Sequence, residues 1–133
     1  MTITIGFLLS LALTLVALGV TVVSGFKARR KVHLPAVATS VVLLLVTIYY
    51  AEQLGTLYDL ETAGVIKPIH LFFAKLTAPA YLLPIVSGFR TLKRPSNRSL
   101  HRKLAFLILA LTVISAATGA AMVFMAERLP DVS

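Results

Sequence analysis

The side chains best suited to chemistry in this sequence are its three histidines, His33, His70 and His101. An imidazole can ligate a metal or a haem iron, pass a proton, or form a hydrogen bond between helices. The sequence has no cysteine, which excludes thiolate metal sites, iron–sulfur clusters and cysteine nucleophiles. It also has no Gly-rich phosphate loop and no serine with a nearby base and orienting acid, so it does not predict a hydrolase or a phosphoryl-transfer enzyme.

The elements that position these histidines follow from the composition. Of 133 residues, 58% are hydrophobic and 14% are charged, against about 45–50% and about 25% in soluble domains. With a mean hydropathy of +0.91, the chain has more apolar surface than a small soluble fold can bury. The net charge of +8 therefore indicates contact with a membrane surface, and we expect no nucleic-acid partner.

Four apolar stretches are each long enough to cross a hydrocarbon core about 30 Å thick as a helix. The predicted spans are about 3–25, 33–52, 68–90 and 102–126. The stretches are continuous and do not alternate with polar residues, which favours helices over barrel strands. Because most connections are short, the sequence predicts an all-α, up-down-up-down four-helix bundle, with residues 1–133 as a single transmembrane domain.

The charges predict how the bundle is oriented. Ten of the thirteen lysines and arginines lie in the loops between spans one and two and between spans three and four. By the positive-inside rule these loops are cytoplasmic and both termini are external, as in a multi-pass protein of the plasma (inner) membrane. The basic loops are also expected to contact anionic lipid headgroups. The acids fall on the other side: Glu52, Asp59, Glu61, Glu127 and Asp131.

Small and hydroxylated residues indicate which helix faces pack together, because lipid is as apolar as leucine. At about 100° per residue, each histidine shares a face with such residues, so all three are predicted to point into the bundle. The faces are His33, Val37, Ser40, Leu44, Thr47 and Ala51 on span two; His70, Ala74, Thr77, Tyr81, Pro84 and Gly88 on span three; and His101, Ala105, Ile108, Thr112, Ser115, Gly119 and Ala126 on span four.

His33 and His101 are predicted at the same, inner end of the bundle, on spans two and four. These spans are diagonal in a square four-helix bundle, and a haem with two axial imidazoles fits between diagonal helices. Haem b is therefore the candidate cofactor, and the two histidines are its candidate iron ligands. The alternative is that each histidine caps a helix or forms a hydrogen bond at the interface, since each lies near the end of its span.

His70 is predicted alone at the outer end, where Tyr49 and Glu52 are available polar partners. With a methionine of span four it could ligate a second haem, and with Tyr49 and Glu52 it could bind a quinone headgroup or pass protons. Lys75 is the only formal charge away from the ends of a span, about 10 Å deep. It lies about 140° around the helix from His70, so it is expected either to extend toward the outer surface or to meet Glu52.

Two prolines within span three, Pro79 and Pro84, predict a bend or a local loosening of that helix.

A weak correspondence between the two halves of the chain is also visible. A basic loop precedes both Lys31-Val32-His33 and Leu100-His101-Arg102.

The order of these polar residues resembles the YozB-like bacterial family of small four-helix membrane proteins. The features are a basic residue before His33, the segment Lys67-Pro68-Ile69-His70, the segment His101-Arg102-Lys103, and Thr118-Gly119. The likeness covers residues 19–125. It implies a role in the assembly or maturation of haem–copper respiratory oxidases.

Residue by residue, His33 and His101 match the inner-end histidines of that family, and His70 matches less closely. The family pattern tends to have a histidine at the outer end of span two, where this chain has Tyr-Tyr-Ala-Glu at 49–52. The chain is also similar, more generally, to four-helix b-type cytochromes, whose paired histidine ligands suit His33 and His101.

The preferred function is therefore a membrane protein that binds or handles haem in respiratory electron transfer or oxidase assembly. One alternative is a non-enzymatic accessory subunit of a larger membrane complex. Another is a small protein that handles quinone or ions around His70, Glu52 and Lys75. The expected partners are membrane lipids, with respiratory complex subunits or a second copy of the chain as further possibilities.

Overall fold

The computed structural model describes residues 2–130, which form helices and one pair of very short strands. The elements are α1 (Thr2–Phe26), α2 (Arg30–Gly55), β1 (Tyr58–Asp59), α3 (Ile66–Ala80), α4 (Leu82–Lys93), α5 (Arg98–Met125) and β2 (Glu127–Arg128). A 3-10 turn, Pro95–Asn97, leads into α5. Of the predicted outer acids, Asp131 lies outside the described residues.

Four helical segments are long and apolar enough to cross a membrane: α1, α2, α3 with α4, and α5 with its preceding turn. The chain is thus an all-α, multi-pass membrane protein, and the four predicted spans are confirmed as helices. The helices extend past the predicted limits, with α2 beginning at Arg30 and α5 at Arg98. Lysine and arginine are good helix formers, so the helix continues beyond the apolar run.

The chain divides into two compact units, one holding α1 and α2 and the other holding α3, α4 and α5. In the first unit the helices are antiparallel, because Thr14 contacts Thr47 while Thr21, further along α1, contacts Ser40. The Thr14 and Thr47 hydroxyls are 2.9 Å apart, and one donates to the other. The arrangement of the whole as an up-down-up-down bundle, and residues 1–133 as one domain, stay predictions.

Five of the residues buried in the helices lie on the predicted small-residue faces: Ser40 and Thr47 on α2, Thr77 on α3, and Ile108 and Thr112 on α5. Leu54 of α2 and Met122 of α5 are also buried, but they are not among the residues predicted for those faces. Each of the four hydroxyls donates to the carbonyl four residues earlier in its own helix. Their polarity is therefore satisfied without water, as burial in a membrane requires.

A residue in the left-handed backbone conformation makes the turn between α1 and α2. Ala28 has φ of 52°, its N–H donates to the Gly25 carbonyl, and the Arg29 N–H donates to the Ser24 carbonyl at 2.9 Å. This pair of hydrogen bonds is a Schellman motif, which usually has glycine at the left-handed position. The motif ends α1 at Phe26 and sends the chain back within three residues.

The third span is interrupted at Tyr81, between α3 and α4, as its prolines predict. Pro84 has no N–H to donate to the carbonyl of Ala80, and Pro79 lies in the last turn of α3. At the break, the Tyr81 hydroxyl lies 2.7 Å from the Thr112 hydroxyl and links this segment to α5.

The loop between α2 and α3 contains several hydrogen bonds of its own. The Thr62 hydroxyl donates to the Asp59 carbonyl and accepts from the Glu127 N–H at 2.8 Å. The Glu61 N–H donates to the Asp59 carboxylate at 3.1 Å, and Glu61 forms an ion pair with Lys67. These local contacts hold the turn that leads into α3.

Candidate histidine sites

His33 lies in the first turn of α2 and is half-buried against the end of α1. Its Nδ1 atom is 2.9 Å from the Thr21 carbonyl oxygen and 3.3 Å from the Ser24 hydroxyl. A carbonyl oxygen can only accept a hydrogen bond, so Nδ1 carries the proton and donates. In the neutral ring the lone pair is then on Nε2, the nitrogen that would ligate a metal.

Gly25 allows His33 to lie this close to α1. A Cβ atom at Gly25 would be 3.0 Å from Cε1 and 3.2 Å from Nδ1 of the His33 ring. Any other residue at this position would push the ring away from the acceptors on α1. Gly25 is therefore part of the site that fixes the tautomer of His33.

His101, in the first turn of α5, has the same surroundings in the other unit. Its Nδ1 atom is 3.0 Å from the Ser87 hydroxyl of α4, and that hydroxyl donates its own proton to the Pro84 carbonyl. Ser87 therefore accepts from Nδ1, which again leaves the lone pair of the neutral ring on Nε2. A Cβ at Gly88 would lie 3.3 Å from Cε1 of His101.

The two sites are formed by similar segments of sequence. The segment Ser24-Gly25-Phe26-Lys27 ends α1, and Ser87-Gly88-Phe89-Arg90 lies in α4, each followed by a basic loop and a histidine. In both copies the serine binds the histidine and the glycine makes room for its ring. The basic loops were noted from the sequence but the Ser-Gly pair was not, although the repeated Ser-Gly-Phe followed by a cation could have revealed it.

His70 lies near the start of α3 and contacts the end of α5. Its Nδ1 atom is 3.1 Å from the Ser115 carbonyl oxygen and 3.2 Å from the Thr118 hydroxyl. The Nδ1 atom therefore donates here too. A Cβ at Gly119 would lie 2.8 Å from Cε1 of the ring, which is closer than at the other two histidines.

The other candidates for the predicted outer site, Lys75, Tyr49 and Glu52, are exposed side chains. Lys75 is exposed on α3, whereas the His70 ring lies against α5. In the first unit Tyr49 and Glu52 are exposed, and the Tyr49 ring packs edge-on against Tyr50 at 5.6 Å between centroids. These positions are those of an aromatic and charged membrane interface. An outer site that joins His70 with Tyr49 and Glu52 stays a prediction.

The donor set limits which cofactor these sites can take. Within residues 2–130, no three histidine or carboxylate side chains are grouped so as to hold a metal ion. A haem needs only axial ligands from the protein, and an imidazole Nε2 is suited to that role. His33, His70 and His101 all fit this chemistry, because each has a donating Nδ1.

Comparison of this chain with protein-family models, with curated proteins and with solved structures finds no match. The class of protein follows from the structure alone: a helical, multi-pass membrane protein. The resemblance to YozB-like proteins and to b-type cytochromes stays a prediction from the sequence.

Proposed function

We propose that this protein binds haem b through Nε2 of His33 and Nε2 of His101, in respiratory electron transfer or oxidase assembly. The observation that carries the proposal is the hydrogen bonding of Nδ1 at both histidines. At His33 the acceptors are the Thr21 carbonyl and the Ser24 hydroxyl, and at His101 the acceptor is the Ser87 hydroxyl.

Metal-binding histidines usually donate their second ring N–H to a carbonyl, a carboxylate or water. That hydrogen bond fixes the ring orientation and makes the ligating nitrogen more basic. In this chain the Thr21 carbonyl is such an acceptor for His33, and the Ser87 hydroxyl takes that place for His101. Gly25 lets the His33 ring approach α1, and Gly88 lets the His101 ring approach α4. When bound, the haem would supply one-electron chemistry.

The pairing of His33 with His101 rests on the sequence. Both histidines follow a basic loop, so the positive-inside rule gives them the same depth at the cytoplasmic side of the plasma membrane. His70 follows the outer loop and is predicted to lie on the opposite side of the membrane. It is therefore not a ligand of the same haem.

The contacts also favour a second candidate function, that of a non-enzymatic accessory subunit. Each histidine fills the space over a glycine and forms a hydrogen bond to the neighbouring helix. Such a bond contributes about 0.6 kcal/mol on average in a membrane protein, so it has a structural use without any cofactor. On this account the rings only lock each pair of helices together.

Substitution of each histidine by asparagine separates the two functions, since an amide keeps an N–H donor but is not a haem ligand. The protein is expressed with an adequate haem supply, purified in detergent, and its visible spectrum is recorded. The haem proposal predicts that His33→Asn and His101→Asn each lose the low-spin spectrum, and that His70→Asn keeps it. Circular dichroism checks that all three variants remain helical.

Retention of the low-spin spectrum in folded His33→Asn or His101→Asn would overturn the ligand assignment. Its loss in folded His70→Asn would do the same. If the wild-type protein is colourless and the three variants differ from it only in thermal stability, the accessory function is supported instead.

A further inference from the structure

A groove of about 330 Å³ runs along α1 and reaches the start of α2. Its walls are apolar over most of its length, with Val16, Val20 and Val23 on α1. Two cations, Lys27 and Arg29, stand at the end where α1 turns into α2. All of its lining residues belong to the first unit.

The floor of the groove is open because Gly19 has no side chain. A Cβ atom added at Gly19 would have no neighbour within 4 Å, whereas one at Gly6 or Gly25 would meet an aromatic ring. Gly19 thus differs from the glycines that receive a neighbouring ring. Its missing side chain leaves space on the outer surface of the helix pair.

The length of the groove matches one leaflet of a membrane. Val16 and Lys27 are eleven residues apart, which corresponds to about 16 Å along a helix. Half of a hydrocarbon core about 30 Å thick is about 15 Å. With Lys27 at the headgroup level, Val16 therefore lies near the middle of the bilayer.

The charge at the open end suits an anion. The turn carries Lys27 and Arg29, followed by Arg30 and Lys31 in the first turn of α2, and no acidic residue lies in that first turn. The positive end of the α2 dipole also lies here. A zwitterionic headgroup would gain less from these charges than an anionic one.

The geometry points to a binding site for one anionic phospholipid, with an acyl chain along Val16, Gly19, Val20 and Val23 and its phosphate at Lys27 and Arg29. The occupant is a lipid of the leaflet that faces the basic loops. The proposal does not rest on haem binding, although Ser24 lines the groove and also contacts His33.

Native mass spectrometry of the detergent-purified full chain tests the site with two probes, phosphatidylglycerol and phosphatidylcholine of equal chain length. The wild-type protein is expected to retain phosphatidylglycerol preferentially. Lys27→Gln combined with Arg29→Gln should weaken its binding about thirtyfold, at about 1 kcal/mol for each cation. The control is Lys93→Gln with Arg94→Gln, which removes two cations of the other basic loop and should change binding little.

Gly19→Leu tests the apolar part of the groove, with Ala12→Leu as its control because Ala12 is exposed on α1 and does not line the groove. Wild-type protein should prefer long-chain over dioctanoyl phosphatidylglycerol, and Gly19→Leu should abolish that preference. Three results would overturn the site: equal binding of the two headgroups, an equal loss in the Lys93/Arg94 control, or unchanged chain-length preference in Gly19→Leu. Loss of a dimer in Gly19→Leu would assign the groove to a second copy instead.

Discussion

A ring that lies against a helix backbone needs a position there with no side chain. Four glycines provide such positions: Gly6 for Tyr50, Gly25 for His33, Gly88 for His101 and Gly119 for His70. Without a hydrophobic force between helices in lipid, close backbone approach and interhelical hydrogen bonds must hold the pairs together. These glycines therefore determine where the polar rings can reach acceptors on the neighbouring helix.

The first prediction compares Gly119→Ala with Gly19→Ala. A methyl group at Gly119 would lie 2.8 Å from the His70 ring, so we expect the free energy of unfolding to fall by about 1–3 kcal/mol. A methyl group at Gly19 meets nothing, and alanine is the better helix former by about 0.5–1 kcal/mol. Gly19→Ala should therefore be neutral or stabilising. Denaturant unfolding in detergent measures both.

If Gly119→Ala is as stable as Gly19→Ala, the close contact between His70 and α5 is contradicted. A further readout is the His70 ring itself, since Gly119→Ala should displace it from the Ser115 carbonyl. The nitrogen chemical shifts of labelled histidine would then report a change at His70 alone.

Among the connecting elements, the turn after α1 carries backbone strain. Ala28 has φ of 52°, a conformation that costs a non-glycine residue about 1–2 kcal/mol. The turn is kept because the Schellman hydrogen bonds from Ala28 and Arg29 return the chain directly toward His33. Changing residue 28 thus tests the turn without touching any histidine.

The second prediction is that Ala28→Gly raises the free energy of unfolding by about 1 kcal/mol and that Ala28→Val lowers it by about the same amount. Thermal unfolding of the two variants measures this. A β-branched residue is a severe outlier at positive φ, whereas glycine adopts it freely. Ala12→Gly is the control, because Ala12 lies within α1 and glycine there should destabilise. The same sign of effect for Ala12→Gly and Ala28→Gly would contradict the left-handed turn.

The helices were predictable because each has a continuous apolar run, and the break at Tyr81 was predictable because Pro84 lacks an N–H. The two-residue strands could not be predicted, because they depend on hydrogen bonds from Glu127 and Leu129 to the loop between α2 and α3. Helical spacing predicted that each histidine shares a face with small and hydroxylated residues. Their acceptors did not, because a side-chain rotamer decides whether His101 reaches Ser87.

For the whole molecule, the charge distribution predicts the orientation in the membrane. The third prediction is that a cysteine introduced within residues 93–99 is cytoplasmic and one introduced within residues 55–61 is external. Labelling of introduced cysteines with an impermeant reagent in intact cells measures this, and the native chain has no cysteine to interfere. Finding both loops on the same side would contradict the four-span topology and the common depth of His33 and His101.

The central claim, haem ligation by two histidines, is tested most directly by one measurement on the unmodified protein. The absorption spectrum is recorded in the oxidised and the reduced state, after expression with an adequate haem supply and purification in detergent. The account predicts a Soret band and sharper visible bands on reduction, because two imidazoles give a low-spin iron. It also predicts one haem for each chain, because His33 and His101 bind the same iron. A folded protein without these bands would contradict the account.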